Sequence, residues 1–319
     1  MGLSHFDLNL LRSLDALLAE RNVTRAAARL FVTQQAASGA LQRLRSHFDD
    51  ELLTRVGRHL EPTPLARSLM LPVREALLAA QAALNTRPKF DPGTSETVCR
   101  IAMSDYGLLV LLPRFLQRLS AEAPGIKCLV EPLLKNSFDR IEMGDLDFCM
   151  TANDWQLYGS RHPGARIRTE AMFQDDFVCV VDERFAKVGN AMTLECYQKH
   201  RHNSVAFGQG IATIVERAWA ASGLNIEVAV MAPTFSALIL MLPGTPLVAT
   251  AQRRLAVSLA PALGLRIVEC PLPIPALDEN LMWHERSETD PKHLFLRQML
   301  QIAAADLDSE LPSSHKAPL

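Results

Sequence analysis

The chain has 319 residues, 48% of them hydrophobic and 21% charged, with a net charge of −2. That length supports a sizeable core and two or three domains, and the balance excludes a disordered, fibrous or globally polycationic protein. The charge is unevenly spread, because residues 1–90 hold 12 Arg and Lys against 8 Asp and Glu whereas the remainder holds 21 against 27, so a basic head precedes an acidic body.

The N-terminal stretch carries acids and offers no small-residue cleavage site, so it is not expected to be a signal peptide. A first helix is predicted over 8–20 with Asp7 as its cap, since Leu8, Leu11 and Leu14 fall on one face at helical spacing. Asn22 is placed to cap a second helix ending near Leu30, and Thr33 a third reaching about Phe48, with only Phe31 and Val32 between them. Small alanines let these two helices cross closely, as a helix-turn-helix requires. In that motif the start of the second helix faces the major groove. Here it presents Thr33, Gln34, Gln35 and Ser38, followed by Gln42 and Arg43. Glutamine can pair with an adenine edge and arginine with guanine or phosphate, so this surface is expected to contact double-stranded DNA. Gly39 is costly in a helix, and either allows close approach to DNA or is tolerated drift.

"ELLTRVGRHLEPT" is predicted to form two short strands around Gly57, a wing with Arg55 and Arg58 near its tip. A long apolar-faced helix follows, expected to be interrupted by Pro72 and to pair with a second copy of itself. "TRPKFDPGTSET" is the clearest boundary in the chain. Beyond it, short apolar strands such as "VCRIAMS", "IKCLVEP", "FVCVVD" and "PLVAT" alternate with helical patterns, which argues for an α/β class with parallel sheet and flanking helices. Strands ending at small polar residues such as Ser104 place helix N-termini around a crevice suited to small ligands.

Residues 228–252 lack charge over a length that could span a bilayer, but Pro233, Pro243, Gly244 and Pro246 point to a strand, a short helix and a strand instead. The six cysteines show no CxxC spacing and are expected to be free thiols in a reducing cytoplasm. His200 and His202 lack a ligand set for a metal, and no GxSxG, HExxH, Walker or dinucleotide motif occurs. The chain is therefore expected to be no enzyme and to need no cofactor, metal or membrane. Two other readings stay open, a ligand-independent silencing or nucleoid protein whose second domain only oligomerises, and a solute-binding or enzymatic α/β protein.

"DLNLLRSLDALLAERNVTRAAARLFVTQQAASGALQRLRSHFDDELLTRVGRHLEPTPLA" resembles the DNA-binding head of LysR-type transcriptional regulators. Its "DLNLL" opening and "FDDELLTRVGR" wing resemble the branch holding the nodulation and naphthalene/salicylate-pathway activators, as do "LVATAQRRLA" and "LMWHERSETDPKHLFLRQML" further on. The resemblance implies a winged helix-turn-helix over 1–62, a dimerising linker helix over 63–86, a hinge over 87–97 and an effector domain over 98–307; residues 308–319, which it does not cover, are expected to form a disordered tail. It implies two α/β subdomains like those of a periplasmic binding protein, about 98–166 with 269–307 and about 167–268, crossed near 166–169 and 265–269. It further implies a tetramer that bends DNA and an effector held between the subdomains by Ser104, Asp105, Tyr106, Asp175, Phe207, Gly208, Phe235 and Ile239. For Phe235 and Ile239, core packing is an equal alternative. Salicylate-responsive relatives carry a histidine in the segment matching "FQDDFVCVV", where this chain has Asp175 and Asp176. Two carboxylates oppose a bare anion. A neutral, phenolic or larger aromatic inducer, or none, is left open, as is a contact with RNA polymerase.

Overall fold

The computed structural model describes residues 6–56, 59–85, 90–152, 166–206 and 212–310. The chain divides into two compact units, 1–88 and 89–319.

In the first unit, α1 (Asn9–Glu20), α2 (Val23–Leu30) and α3 (Gln34–Phe48) precede a hairpin of β1 (Leu53–Val56) and β2 (His59–Pro62) and the long α4 (Pro64–Asn85). Helix α1 begins one residue later than expected, with the Asp7 carboxylate accepting the Asn9 N–H at 3.0 Å. Asn22 and Thr33 cap α2 and α3 by accepting the N–H groups of Arg25 and Ala36. Between those helices Phe31 takes a left-handed conformation at φ 56°, which lets the Phe31 and Val32 N–H groups close onto the last turn of α2. Leu14, Leu17, Leu44, Leu52 and Leu53 fill the core beneath. Pro72 does not interrupt α4, contrary to expectation. A proline removes one helical hydrogen bond and crowds one carbonyl, but Leu69, Val73 and Leu77 on one stripe pack against the head's core and hold the helix together across it.

The second unit comprises β3 (Val98–Met103), α5 (Asp105–Val110), α6 (Leu112–Glu122), β4 (Lys127–Pro132), α7 (Ser137–Glu142), β5 (Phe148–Ala152), β6 (Ile167–Asp175), β7 (Phe177–Val181), α8 (Leu194–Lys199), β8 (His202–Val205), α9 (Ile214–Ala221), β9 (Val228–Ala232), α10 (Phe235–Leu240), β10 (Val248–Gln252), α11 (Arg253–Leu259), β11 (Arg266–Glu269), β12 (Leu277–His284) and α12 (Pro291–Glu310). They build two five-stranded sheets, ordered β4-β3-β5-β12-β6 and β11-β7-β10-β8-β9. Both are mixed rather than wholly parallel: β3 runs parallel to β4 and β5, but β12 lies antiparallel to β5 and β6.

That pairing corrects the expected crossings. Because β6 pairs with β12 from Ile167 to Asp175, the first sheet keeps the chain until Asp175, and the crossing falls at Asp176 rather than near 166–169. The return falls between Glu269 and Leu277. Helix α12 continues to Glu310, into the stretch expected as a tail from residue 308, and residues 311–319 lie outside the described residues. The uncharged run 228–252 forms β9, α10 and β10, and among the described residues no helix is long and apolar enough to cross a membrane. All six cysteines are free.

Candidate nucleic-acid interface and ligand cleft

The spacing of buried residues on α3, Ala37, Ala40, Leu41 and Leu44, turns one stripe of the helix into the head's core. The opposite stripe is left outward. Thr33, Gln34, Gln35, Ser38, Gly39, Gln42 and Arg43 are all exposed. Gln35, Ser38, Gly39 and Gln42 stand three and four residues apart and so share one face. The Thr33 hydroxyl oxygen is engaged in capping, 3.2 Å from the Ala36 nitrogen. Arg43 reaches Asp7 at 3.3 Å, an exposed ion pair that costs little to release. The wing is tied to α3 by Arg45, which donates to the Glu51 and Leu53 carbonyls at 2.9 and 3.0 Å. Arg55 is exposed on β1, while Arg58 lies outside the described residues. Several other arginines of this unit are held by acids of the same unit, Arg21 by Glu61 and Arg29 by Asp15 and Glu20.

Between the two sheets of the second unit lies a cavity of about 430 Å³. One wall comes from the carboxyl ends of β3, β4 and β5, with Met103, Ser104, Asp105, Pro132, Thr151 and Ala152; the other holds Phe177, Thr213, Pro233, Phe235 and Gln252. Leu277 and Glu279 of β12 close it. Most of the lining is apolar, the character of a small-molecule site with a few placed polar groups. Ser104 caps α5 through the Gly107 N–H at 3.3 Å. Asp105 reaches across the cavity, where its two carboxylate oxygens accept the backbone N–H groups of Phe235 and Ser236 at 3.0 and 2.7 Å. The protein's own carboxylate thus occupies the donors at the start of α10 that a ligand anion would otherwise use.

Of the expected effector residues, the structure brings Ser104, Asp105 and Phe235 to the cavity wall. Tyr106, Asp175 and Ile239 are buried, and none of the three lines it. Tyr106 packs in the core and donates its hydroxyl to Asp175 at 2.7 Å, while Asp175 also accepts the Arg254 N–H at 3.1 Å. Burial pushes the Asp175 carboxyl up to about 6 against those hydrogen bonds. Next to it, Arg253 grips both crossings: its guanidinium binds the Asp176 carboxylate at 2.6 and 3.0 Å and the Glu269 carboxylate at 2.9 and 2.7 Å. Phe207 and Gly208 lie outside the described residues. Sequence reasoning missed Thr151, Phe177, Gln252 and Glu279. Glu279 left a trace, because it stands two residues after Leu277 and thus shares its inward face in a strand. His200 and His202 spend a ring nitrogen on the Cys196 and Tyr197 carbonyls, and burial lowers His202 to about 4. Among the described residues no group of three or more His, Cys, Asp or Glu could hold a metal.

A capped helix pair with a wing, followed by two sheets enclosing a ligand-sized cavity, defines a DNA-binding protein with a separate small-molecule-binding unit. Family comparison makes this specific. Residues 8–67 match the bacterial regulatory helix-turn-helix family of the lysR type, and residues 92–305 match the LysR substrate binding domain. The chain belongs to the LysR family of transcriptional regulators, DNA-binding proteins with an effector-binding domain rather than enzymes. It is 37% identical to nodulation protein D 2 of Rhizobium tropici over 100% of this chain and 99% of that one. It is 36% identical to nodulation protein D 1 of Rhizobium leguminosarum bv. phaseoli, over 99% and 98%. Among solved structures, a probable transcriptional regulator from Pseudomonas aeruginosa is 34% identical, with a TM-score of 0.63 over 94% of this chain and 97% of that one. A full-length OxyR from the same organism shares the fold, with a TM-score of 0.71 at 16% identity over 98% and 99%.

Proposed function

We propose that α3 reads an operator in the major groove through Gln34, Gln35, Ser38 and Gln42, with Thr33, Arg43, Arg55 and Arg58 on the phosphates or base edges around it. We propose further that a small, largely apolar and uncharged effector enters the cavity between the two sheets and changes how the protein holds and bends that DNA. The observation that carries this is the Asp105 clasp. It joins a helix of one sheet to a helix of the other beside the cavity, so a ligand there bears on the angle between them. Self-association through α4 and a tetrameric assembly follow from the same family reading, as does a cytoplasmic location beside the DNA it regulates.

The test is binding of the purified protein to duplex DNA from upstream of its own gene, followed by fluorescence anisotropy across salt concentrations against a scrambled duplex. A preference for the native sequence with a steep salt slope is expected. Gln34→Ala and Gln42→Ala should each erode that preference by about 1–3 kcal/mol if they read bases. Equal binding of both duplexes by the unaltered protein would favour a non-specific silencing protein instead.

A further inference from the structure

Two polar side chains in the cavity wall have unfinished hydrogen bonding. Glu279, only 4% exposed, leaves its Oε2 without a partner among the described residues, and Gln252, 1% exposed, leaves its Oε1 likewise. Both line the cavity, on strands from opposite sheets. Glu279 sits on β12 opposite Ala152 and Phe173, at the point where the register between β12 and β6 shifts. Gln252 ends β10 opposite Phe177. Leaving a buried polar atom unpaired costs about 1–3 kcal/mol, so such groups in a native fold call for an explanation. Neither is spent on holding strands, helix ends or crossings together, unlike Asp105, Asp175 and Asp176.

We propose that Glu279 and Gln252 are the specificity residues of the cavity and recognise a hydroxyl group on an uncharged effector, Gln252 accepting from it and Glu279 donating to it. This rests on the reading of the cavity as the effector site. A hydroxyl both donates and accepts, so it has the chemistry to meet either side chain. An ether in its place would leave Gln252 unpaired. A carboxylate would add a third negative charge to a wall that already holds the carboxylates of Asp105 and Glu131 beside Lys135. Burial, with Asp175 nearby, pushes the Glu279 carboxyl up to about 8, so at neutral pH it carries the proton that such a donor requires.

The test uses the full-length protein and four probes on one ring system: 2-naphthol, 2-methoxynaphthalene, 2-naphthoate and 2-(aminomethyl)naphthalene, titrated by calorimetry at neutral pH. The protein should hold 2-naphthol about tenfold tighter than its methoxy counterpart, as one satisfied buried hydrogen bond implies, and naphthoate most weakly. Glu279→Leu and Gln252→Leu should each remove that preference. Glu279→Gln should keep most of it, because an amide N–H also donates. A preference for the ammonium probe that both Glu279 variants lose would overturn the proposal in favour of an ionised carboxylate that holds a cation. A naphthol preference indifferent to Glu279→Leu would overturn it as well. Leu108→Trp, at a cavity-lining position that is 38% exposed, separates this failure from that of the underlying reading. Equal binding of all probes, blocked by Leu108→Trp, removes only the hydroxyl assignment. Absence of binding, or binding that ignores Leu108→Trp, removes the effector site with it.

Discussion

Glu279 makes the second unit's stability depend on pH in an unusual direction. Its carboxyl is raised from an ordinary value of 4.5 to about 8, first by burial and then by Asp175. Between those limits the folded protein keeps the proton and the unfolded chain has released it, so stability present at pH 4.5 is lost as pH rises towards 8. Asp175, raised from 3.8 to about 6, adds the same sign in a lower window. Glu279→Gln cannot ionise, so its melting temperature should exceed that of the unaltered protein by more at pH 8 than at pH 5. A gain on the order of 3 °C is expected for each kcal/mol recovered. Equal differences at the two pH values, read by scanning fluorimetry at matched ionic strength, would mean that Glu279 ionises freely. Residue chemistry was only partly legible in the sequence. The Asp175–Asp176 pair stood out as acids beside an apolar strand, yet the fold spends Asp175 on Tyr106 and Arg254 and Asp176 on Arg253. An acid that does reach the cavity, and that the sequence did not reveal, is Glu279, whose pairing partners Ala152 and Phe173 lie over a hundred residues earlier in the chain.

At the scale of elements, α3 separates stability from recognition. A Cβ built on Gly39 meets nothing within 4 Å, so Gly39→Ala should stabilise the helix by up to ~1 kcal/mol. The added methyl would stand among Gln35, Ser38 and Gln42 on the outward face, so the same substitution should weaken operator binding through loss of close approach. A protein that melts higher and binds DNA unchanged would show the glycine to be tolerated drift. Asn22→Ala is the complementary case. It removes the cap on the Arg25 N–H at 3.0 Å, which should cost about 1 kcal/mol and leave the affinity of the folded protein for DNA intact. Loss of affinity in proportion would place Asn22 on the DNA instead. These caps and the short turn at Phe31 were readable because their signals lie within a few residues of the structure they set. Strand β6 was not readable as part of the first sheet, because its exposed and buried positions do not alternate and its partner β12 is remote in sequence. Pro72 misled for a related reason: the tertiary packing of Leu69, Val73 and Leu77 outweighs the local cost of the ring.

At the scale of the whole molecule, a ligand can alter DNA contacts only through an element with two arrangements that differ in energy. Asp105 is the strongest candidate for a bond that distinguishes them. It opens α5, which follows β3 of one sheet, and its two hydrogen bonds end on α10, which follows β9 of the other. The sheets share no strand, and the chain passes between them at two crossings that Arg253 binds together. The clasp is a bond between the two sheets additional to those that Arg253 makes at the crossings. Hydrogen bonds from backbone N–H groups to a charged carboxylate are worth about 1.5–3 kcal/mol each, so removing them should shift an open–closed balance by at least about tenfold. If that balance is coupled to DNA geometry, Asp105→Ala should change the bend of the operator without any ligand present. Energy transfer between dyes at the two ends of a bound duplex measures this directly. Asp105→Asn can still offer one acceptor oxygen, so it should fall between Asp105→Ala and the unaltered protein. An end-to-end distance that is the same in all three proteins, at equal occupancy of the DNA, would show that the clasp holds the cavity's shape but sends nothing to the operator. Control would then have to pass through the assembly of subunits rather than through the angle between the two sheets.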